Sequence, residues 1–266
     1  YSDSLMKTEK EISKFNPKDV IGYQKLLKFS EKIFNVGFIK LSSTPFHNFF
    51  FMIKQIPVLI LLKSYLSVFK LVSIFIKNEQ LRQALSIQPL LLGGNPIATT
   101  SIYNLIHYLE RKWGVHYAIG GTGQLIKGLK KLMIEEKIKI STNSNISKIL
   151  TEGNKVIGVE INRKEKYFAD KVIINGDPAY TYKNLIDSKF NKKWKKNRID
   201  KLDYSMGLFV IYFGTKKKYK KIAHHTIWMG KRYEGLLNDI FNKKVLAEDF
   251  SLYLHRPTAT DRTMAP

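Results

Sequence analysis

The stretch from Tyr117 to Asp177 constrains the fold more than any other. Tyr117-Ala118-Ile119-Gly120-Gly121-Thr122-Gly123 reads as a strand running into a glycine turn, followed by a helical run to Glu136 and a short strand, Lys137 to Ser141. The glycines permit a tight turn and close backbone approach, and Thr122 can cap a helix whose first amides face any bound anion. Leu125, Leu129, Leu132 and Met133 fall at helical spacing, which predicts one face packed on a sheet. Lys137-Ile138-Lys139-Ile140 alternates as a strand does. Asn145 to Thr151 and Lys155 to Asn162 follow as alternating strands joined through Gly153-Asn154. Tyr167 to Asn175 adds a third, whose apolar end Val172-Ile173-Ile174 reads as fully buried. The whole has the form of a nucleotide-binding β/α unit. Gly120, Gly121 and Gly123 do not fit G-x-G-x-x-G, however, and no acidic residue ends a second strand at the expected offset. Glycines that merely make a strand-to-helix turn therefore stand as the alternative.

Ahead of this unit the chain is mainly helical. Asn16-Pro17-Lys18-Asp19 is a helix start, and Val20, Tyr23, Leu26, Leu27, Phe34 and Phe38 form its apolar stripe, with Gly37 as a stop. Phe46 to Ile76 is the most apolar region. Lys54, Lys63 and Lys70 interrupt it before the ~20 uncharged residues that a spanning helix needs. Lys63, Lys70 and Lys77 recur every seven residues, which places them in one stripe. That suits a helix lying in a membrane interface, or equally a core helix with one wet face. Further helices are expected over Glu79 to Leu92, closed by Gly93-Gly94-Asn95-Pro96, and over Ser101 to Trp113, closed by Gly114. His107, in mid-helix, reads as a packed or solvated side chain rather than a ligand.

Beyond the central unit, Asp177 invites a capping role for a helix from Ala179 to Ile186. Lys189 to Lys201 is basic around Trp194 and reads as a solvated segment. Leu208 to Phe213 is expected as a buried strand, with Thr226 to Met229 and Phe250 to Leu254 as partners. His224 and His225 are adjacent. On a strand they would point to opposite faces, which argues against joint metal binding, and no metal site is expected.

Composition decides what remains. The absence of cysteine removes disulfides, thiolate nucleophiles and cysteine-ligated metals together. The net charge of +23 invites an anionic partner, but only seven of the 45 basic residues are Arg, beside many Ile, Asn and Phe. That is the texture of an AT-biased gene; anionic lipid is the next reading, and nucleic acid, which favours Arg and ordered motifs, is set aside. The chain opens on Tyr1 without an initiator Met or signal peptide and ends at Met264-Ala265-Pro266 directly after a strand and turn, so an internal fragment is expected. The fold class is α+β (mixed α/β), in three regions: a helical region over 1–116, the glycine-turn unit over 117–187, and a truncated sheet over 188–266.

Several segments resemble the bacterial-type phytoene desaturases. They are Ser42 to Phe46, Leu92-Gly93-Gly94-Asn95-Pro96 with Ile102 to His107, Gly120-Gly121-Thr122-Gly123, Asn175-Gly176-Asp177 with Thr181-Tyr182, Ala223-His224-His225-Thr226, and Leu246 to His255 through Pro257, Asp261 and Ala265-Pro266. The similarity runs in one unbroken order from Asn16 to the last residue. What it implies is part of an FAD-binding domain of the amine-oxidase-like type, a helical membrane and substrate insertion, and a substrate-domain sheet. The activity implied is FAD-dependent desaturation of phytoene, a 15-cis or all-trans C40 polyene drawn from the bilayer, toward lycopene or neurosporene. Hydride passes to the flavin, and a quinone or oxygen reoxidises it. The protein would sit peripherally on the cytoplasmic face of a membrane.

By the same resemblance Gly120, Gly121, Gly123, Ile146 and Asp177 belong to the flavin-contacting half, and Asp249, Asp261 and Lys54 are the acid/base and cationic candidates. Carboxylates at strand ends more often cap turns, which is the competing reading for each acid. Ala118-Ile119 stand where the family commonly has Pro and a basic residue, and Gly176 where Ala is usual. The family's dinucleotide fingerprint and last flavin-contacting segment are not in these residues, so the fragment alone is expected to bind FAD weakly or not at all and to be inactive. Related carotenoid or squalene-type oxidoreductases, and a non-enzymatic basic membrane-surface module, are the alternatives.

Overall fold

The computed structural model describes residues 4–45 and 48–265. Tyr1, Pro266 and Phe46, where the apolar region was expected to begin, lie outside them. The fold is mixed helix and sheet in two compact units, Tyr1–Gln124 with Ser205–Pro266, and Leu125–Tyr204. Ser205–Pro266 thus clusters with the N-terminal helices, a different partition from the three consecutive regions read from sequence.

The first unit is built on α1 (Leu5–Phe15) and α2 (Lys18–Phe34). Asn16 Oδ1 accepts the Lys18 amide at 3.2 Å, and the helix starts where the Asn-Pro signal points but one residue later, with Pro17 at the cap position instead of the first helical one. Instead of stopping at Gly37, α2 runs on into a π turn, Asn35–Lys40. The apolar stripe of α2 buries Tyr23 and Leu26 against Val68, Val72 and Ile76, each of them fully inaccessible, with Ile12, Leu81 and Leu85 closing the cluster. Each such side chain contributes about 1.5–3 kcal/mol by leaving water. Gly22 lets the helices touch: a Cβ there would stand 2.1 Å from the Phe75 carbonyl oxygen. A feature with no sequence signal completes the joint. Asp19, buried in the first turn of α2, accepts the amides of Lys77 and Asn78 at 2.8 and 2.7 Å, holding the corner after the partner helix.

The apolar region does not form the lysine-striped helix expected of it. It is α3 (Phe49–Leu61), then a turn, then α4 (Val68–Phe75). Lys63 adopts φ +54°, so Lys63, Lys70 and Lys77 do not share a helix, and the seven-residue spacing carries no common face. The two helices differ in kind. α4 buries Val68, Leu71 and Val72, whereas α3 buries no side chain at all.

α5 (Glu79–Ala84) is shorter than expected, because Pro89 cannot continue an α-helix; a 3-10 turn, Gln88–Leu92, takes over and closes at Gly93. A 3-10 turn, Ser101–Asn104, leads into α6 (Leu105–Trp113), which ends at Gly114 as the sequence implies. His107 is fully buried, its Nε2 2.8 Å from the Leu85 carbonyl and its ring against the Gln88 amide. Burial lowers its pKa to about 4, which keeps the ring neutral.

In the second unit, α7 (Thr122–Glu135), which starts at the edge of the first, is followed by an antiparallel sheet. This comprises β1 (Ile146–Glu152), β2 (Lys155–Ile161) and β3 (Glu165–Phe168), in sequence order. Gly153-Asn154 makes the expected hairpin turn. Gly158 permits a close approach in β2, where a Cβ would meet the Tyr167 carbonyl oxygen at 2.0 Å. Three expectations fail. Leu125, Leu129 and Leu132 on α7 are exposed rather than packed on a sheet. Lys137 to Ser141 is unpaired, beginning at a left-handed Lys137 with φ +57°. Val172 to Ile174 is neither paired nor buried, with Ile173 95% exposed. Apolar alternation marks a face, but a strand also needs a neighbour for its amides and carbonyls, and the described residues offer these segments none.

The same holds for Leu208 to Phe213, expected as a buried strand: it is unpaired, and Phe209 is 92% exposed. Its expected partners pair with each other instead. β4 (His225–Trp228) and β5 (Leu252–His255) form an antiparallel ribbon in which His225 faces His255.

Candidate functional site

The glycine turn is held by a carboxylate from the far end of the chain. Gly120 and Gly121 adopt φ +82° and +80°, conformations that favour glycine. The Gly120 amide donates to Asp261 Oδ2 at 2.5 Å, and the amide and hydroxyl of Thr263 donate to Oδ1 at 2.9 and 2.7 Å. Asp261 is only 3% exposed, and these hydrogen bonds, Thr263 foremost, hold its carboxyl below the usual range. Its role here is to clasp the turn. A side chain at Gly121 would press on Met264 at 3.1 Å, and one at Gly120 would meet Gln124 at 2.6 Å.

Beside this clasp lies a cluster of aromatic and imidazole rings. The Tyr117 ring, just ahead of the glycine turn, stands edge-on to His224 with centroids 4.7 Å apart. His224 precedes β4; its Nδ1 is 2.6 Å from Thr260 Oγ1 and its Nε2 is 3.0 Å from His255 Nε2. His225 stacks on His255 across the ribbon at 5.2 Å and 4°, and its Nδ1 lies 2.6 Å from the Tyr253 hydroxyl. Partial burial, then the neighbouring imidazoles, lower the pKa of both His224 and His225 and favour their neutral forms. The expectation that adjacent histidines diverge is thus corrected: His224 lies outside the strand, so the two-residue period does not govern it.

The other residues singled out from sequence lie elsewhere. Gly123 has open space where a side chain would project. Ile146 opens β1, and Asp177 Oδ1 accepts the Tyr180 amide at 2.6 Å, capping a helical run, Pro178–Tyr180, that continues as a π turn, Thr181–Leu185, over nearly the span expected. Asp249 is paired with Arg232, whose Nε lies 3.1 Å away, and that guanidinium holds its carboxyl low. Lys54 is exposed on α3.

No family model matches the chain. Whole curated proteins do. The chain is 41% identical over all 266 residues to a lycopene-forming phytoene desaturase of Pantoea ananas, of which it covers 54%. The order of segments is kept along the entire chain. Its relatives are phytoene desaturases. A neurosporene-forming phytoene desaturase of Cereibacter sphaeroides is 38% identical over 259 residues, or 96% of this chain and 50% of the relative. A 4,4'-diapophytoene desaturase of Methylomonas is 30% identical over 215 residues, covering 81% and 41% of the two. The chain therefore spans about half the length of the phytoene desaturases it matches.

Proposed function

We propose that the protein carrying these residues is an FAD-dependent carotene desaturase. It acts on phytoene or a close C40 polyene, forms lycopene or neurosporene, and works peripherally on the cytoplasmic face of a membrane with a quinone or oxygen as final acceptor. The observation that carries this reading is the collinear similarity of all 266 residues to desaturases of long polyenes. The shape of the first unit supports it. α3 presents Phe49, Phe50, Met52, Ile53, Ile56, Ile60 and Leu61 to solvent, with Lys54 its single charge. Among the described residues no helix is long and apolar enough to cross a membrane, so α3 suits an interfacial position. A mainly apolar cavity of about 370 Å³ opens beneath it, lined by Gly37, Leu41, Leu59, Ser64, Thr100 and Ile102. A hydrocarbon leaving the bilayer would find a dry surface there.

The residues' fit to FAD is incomplete. The Gly120 amide is taken by Asp261, Gly121 faces Met264, and the Asp177 carboxylate is engaged by its own helical turn. These positions by themselves make no phosphate cradle, and no chemical step is assigned to them. When bound, the flavin would supply hydride acceptance; what this chain contributes is an apolar entry and a rigid clasp.

The test is to express the full-length protein with phytoene and membranes and to record the absorption spectrum. FAD-dependent polyene bands in the visible are expected. Bound flavin without new bands would favour another oxidoreductase of the superfamily. Absence of flavin binding would favour the basic membrane-surface module.

A further inference from the structure

We propose that His224, His225 and His255 form a site for a divalent transition-metal ion of the zinc class, with one coordination position left open.

One ring nitrogen from each histidine lies within 4.8 Å of the other two. The closest pair, His224 Nε2 and His255 Nε2, stand 3.0 Å apart. Two imidazole nitrogens bound tetrahedrally to zinc at about 2 Å are roughly 3.3 Å from each other, so this pair needs only a small outward shift. In the metal-free state one N–H bridges those nitrogens; for both to bind an ion, that proton moves to Nδ1 of its own ring, leaving both Nε2 lone pairs free as ligands. The register of the ribbon supplies the third ligand, because His225 and His255 are directly opposed on β4 and β5.

The surroundings are those of a ligand set rather than of three stray side chains. Thr260 Oγ1 engages Nδ1 of His224, fixing that ring with Nε2 inward, as outer hydrogen-bond partners do at metal sites. Tyr253 engages His225 in the same way. The Tyr117 ring covers His224 from one side. Asp261 is adjacent in sequence to Thr260, but both its oxygens are engaged by Gly120 and Thr263, so it is not offered as a fourth ligand.

Ligand type selects the ion. Three imidazoles without a free carboxylate suit zinc, copper or nickel and are poor for calcium and magnesium, which take oxygen. Three protein ligands leave room for water or an added anion at the fourth position. The ion would also brace the fold locally. β4 and β5 form a two-stranded sheet, an arrangement of marginal stability in water, and a metal would cross-link its ends.

The experiment titrates untagged full-length protein with Co2+, then with Zn2+ in competition with a chelator. One ion per chain is expected, with visible Co2+ bands of four-coordinate intensity that Zn2+ abolishes and Mg2+ does not. His255→Gln should weaken binding at least about tenfold, while His116→Gln, outside the cluster, should leave it unchanged. A variant-free measurement guards against misfolding: Zn2+ should protect His224, His225 and His255 from acylation by diethyl pyrocarbonate, mapped by mass spectrometry, and leave His116 reactive. Absence of saturable binding in the wild type, or protection no greater at the three histidines than at His116, overturns the proposal.

Discussion

The exposed face of α3 yields a sharp prediction about membrane binding. Phe50 is 74% and Leu61 76% exposed, and neither contributes to a core cluster. Full removal from water is worth about 1.5–3 kcal/mol for side chains of this size, so burying three quarters of each in lipid is worth about 1–2 kcal/mol. The double variant Phe50→Ser, Leu61→Ser should therefore lose about 2–4 kcal/mol of membrane affinity, roughly a thirty- to thousand-fold fall in partition coefficient. The assay is co-sedimentation of full-length protein with vesicles carrying about a third anionic lipid, at two salt concentrations. Salt should weaken wild type and variant by the same factor, since the lysines are untouched. Thermal stability should stay within about 0.5 kcal/mol of wild type, as for other surface changes. Partitioning that is unchanged, or that falls only in step with stability, would refute the assignment of α3 to the lipid interface.

Three further outcomes follow from particular contacts. Leu26→Ala should cost about 2–5 kcal/mol in denaturant unfolding, because Leu26 is fully buried in the main cluster and leaves a cavity there. Asp19→Ala should cost about 2–3 kcal/mol in the same measurement by orphaning the Lys77 and Asn78 amides. His107 should make folding acid-sensitive. Its pKa falls from 6.5 unfolded to about 4 folded, so the unfolded chain binds the extra proton. The contribution is complete above about pH 6.5 and is lost as pH falls toward 4, a change of about 2 kcal/mol between pH 7 and 4.5 that His107→Gln should largely remove.

The parts legible in sequence were those with local causes. The Asn16-Pro17 helix start, the Gly93 and Gly114 stops, the Gly153-Asn154 hairpin and the Asp177 cap each follow from a few neighbouring residues, and each is present. Features set by distant partners were not legible. Nothing near Asp19 announces that it will bind amides 58 and 59 residues away, nor does anything near Asp261 point to Gly120. The histidine cluster depends on the register of two strands, which only tertiary pairing fixes; the signal available was the alternation in Leu252-Tyr253-Leu254-His255. Conversely, Ile173 and Phe209 carry a clear burial signal, yet burial requires a partner surface as well as an apolar side chain.

The left-handed Lys63 separates two helices of similar greasiness and opposite obligations. α4 must interlock with α2, so shape matters at Val68, Leu71 and Val72, and substitutions there are filtered by fit. α3 fits a neighbour only along one edge, where Val58 packs on the Ile33, Leu62 and Leu71 cluster; on its outer face any oily residue serves equally well. Across a library of random variants, tolerated changes on the exposed face of α3 should sort by polarity alone, and those in α4 by volume. One turn of backbone thus divides a stretch read by its solvent from a stretch read by its partner.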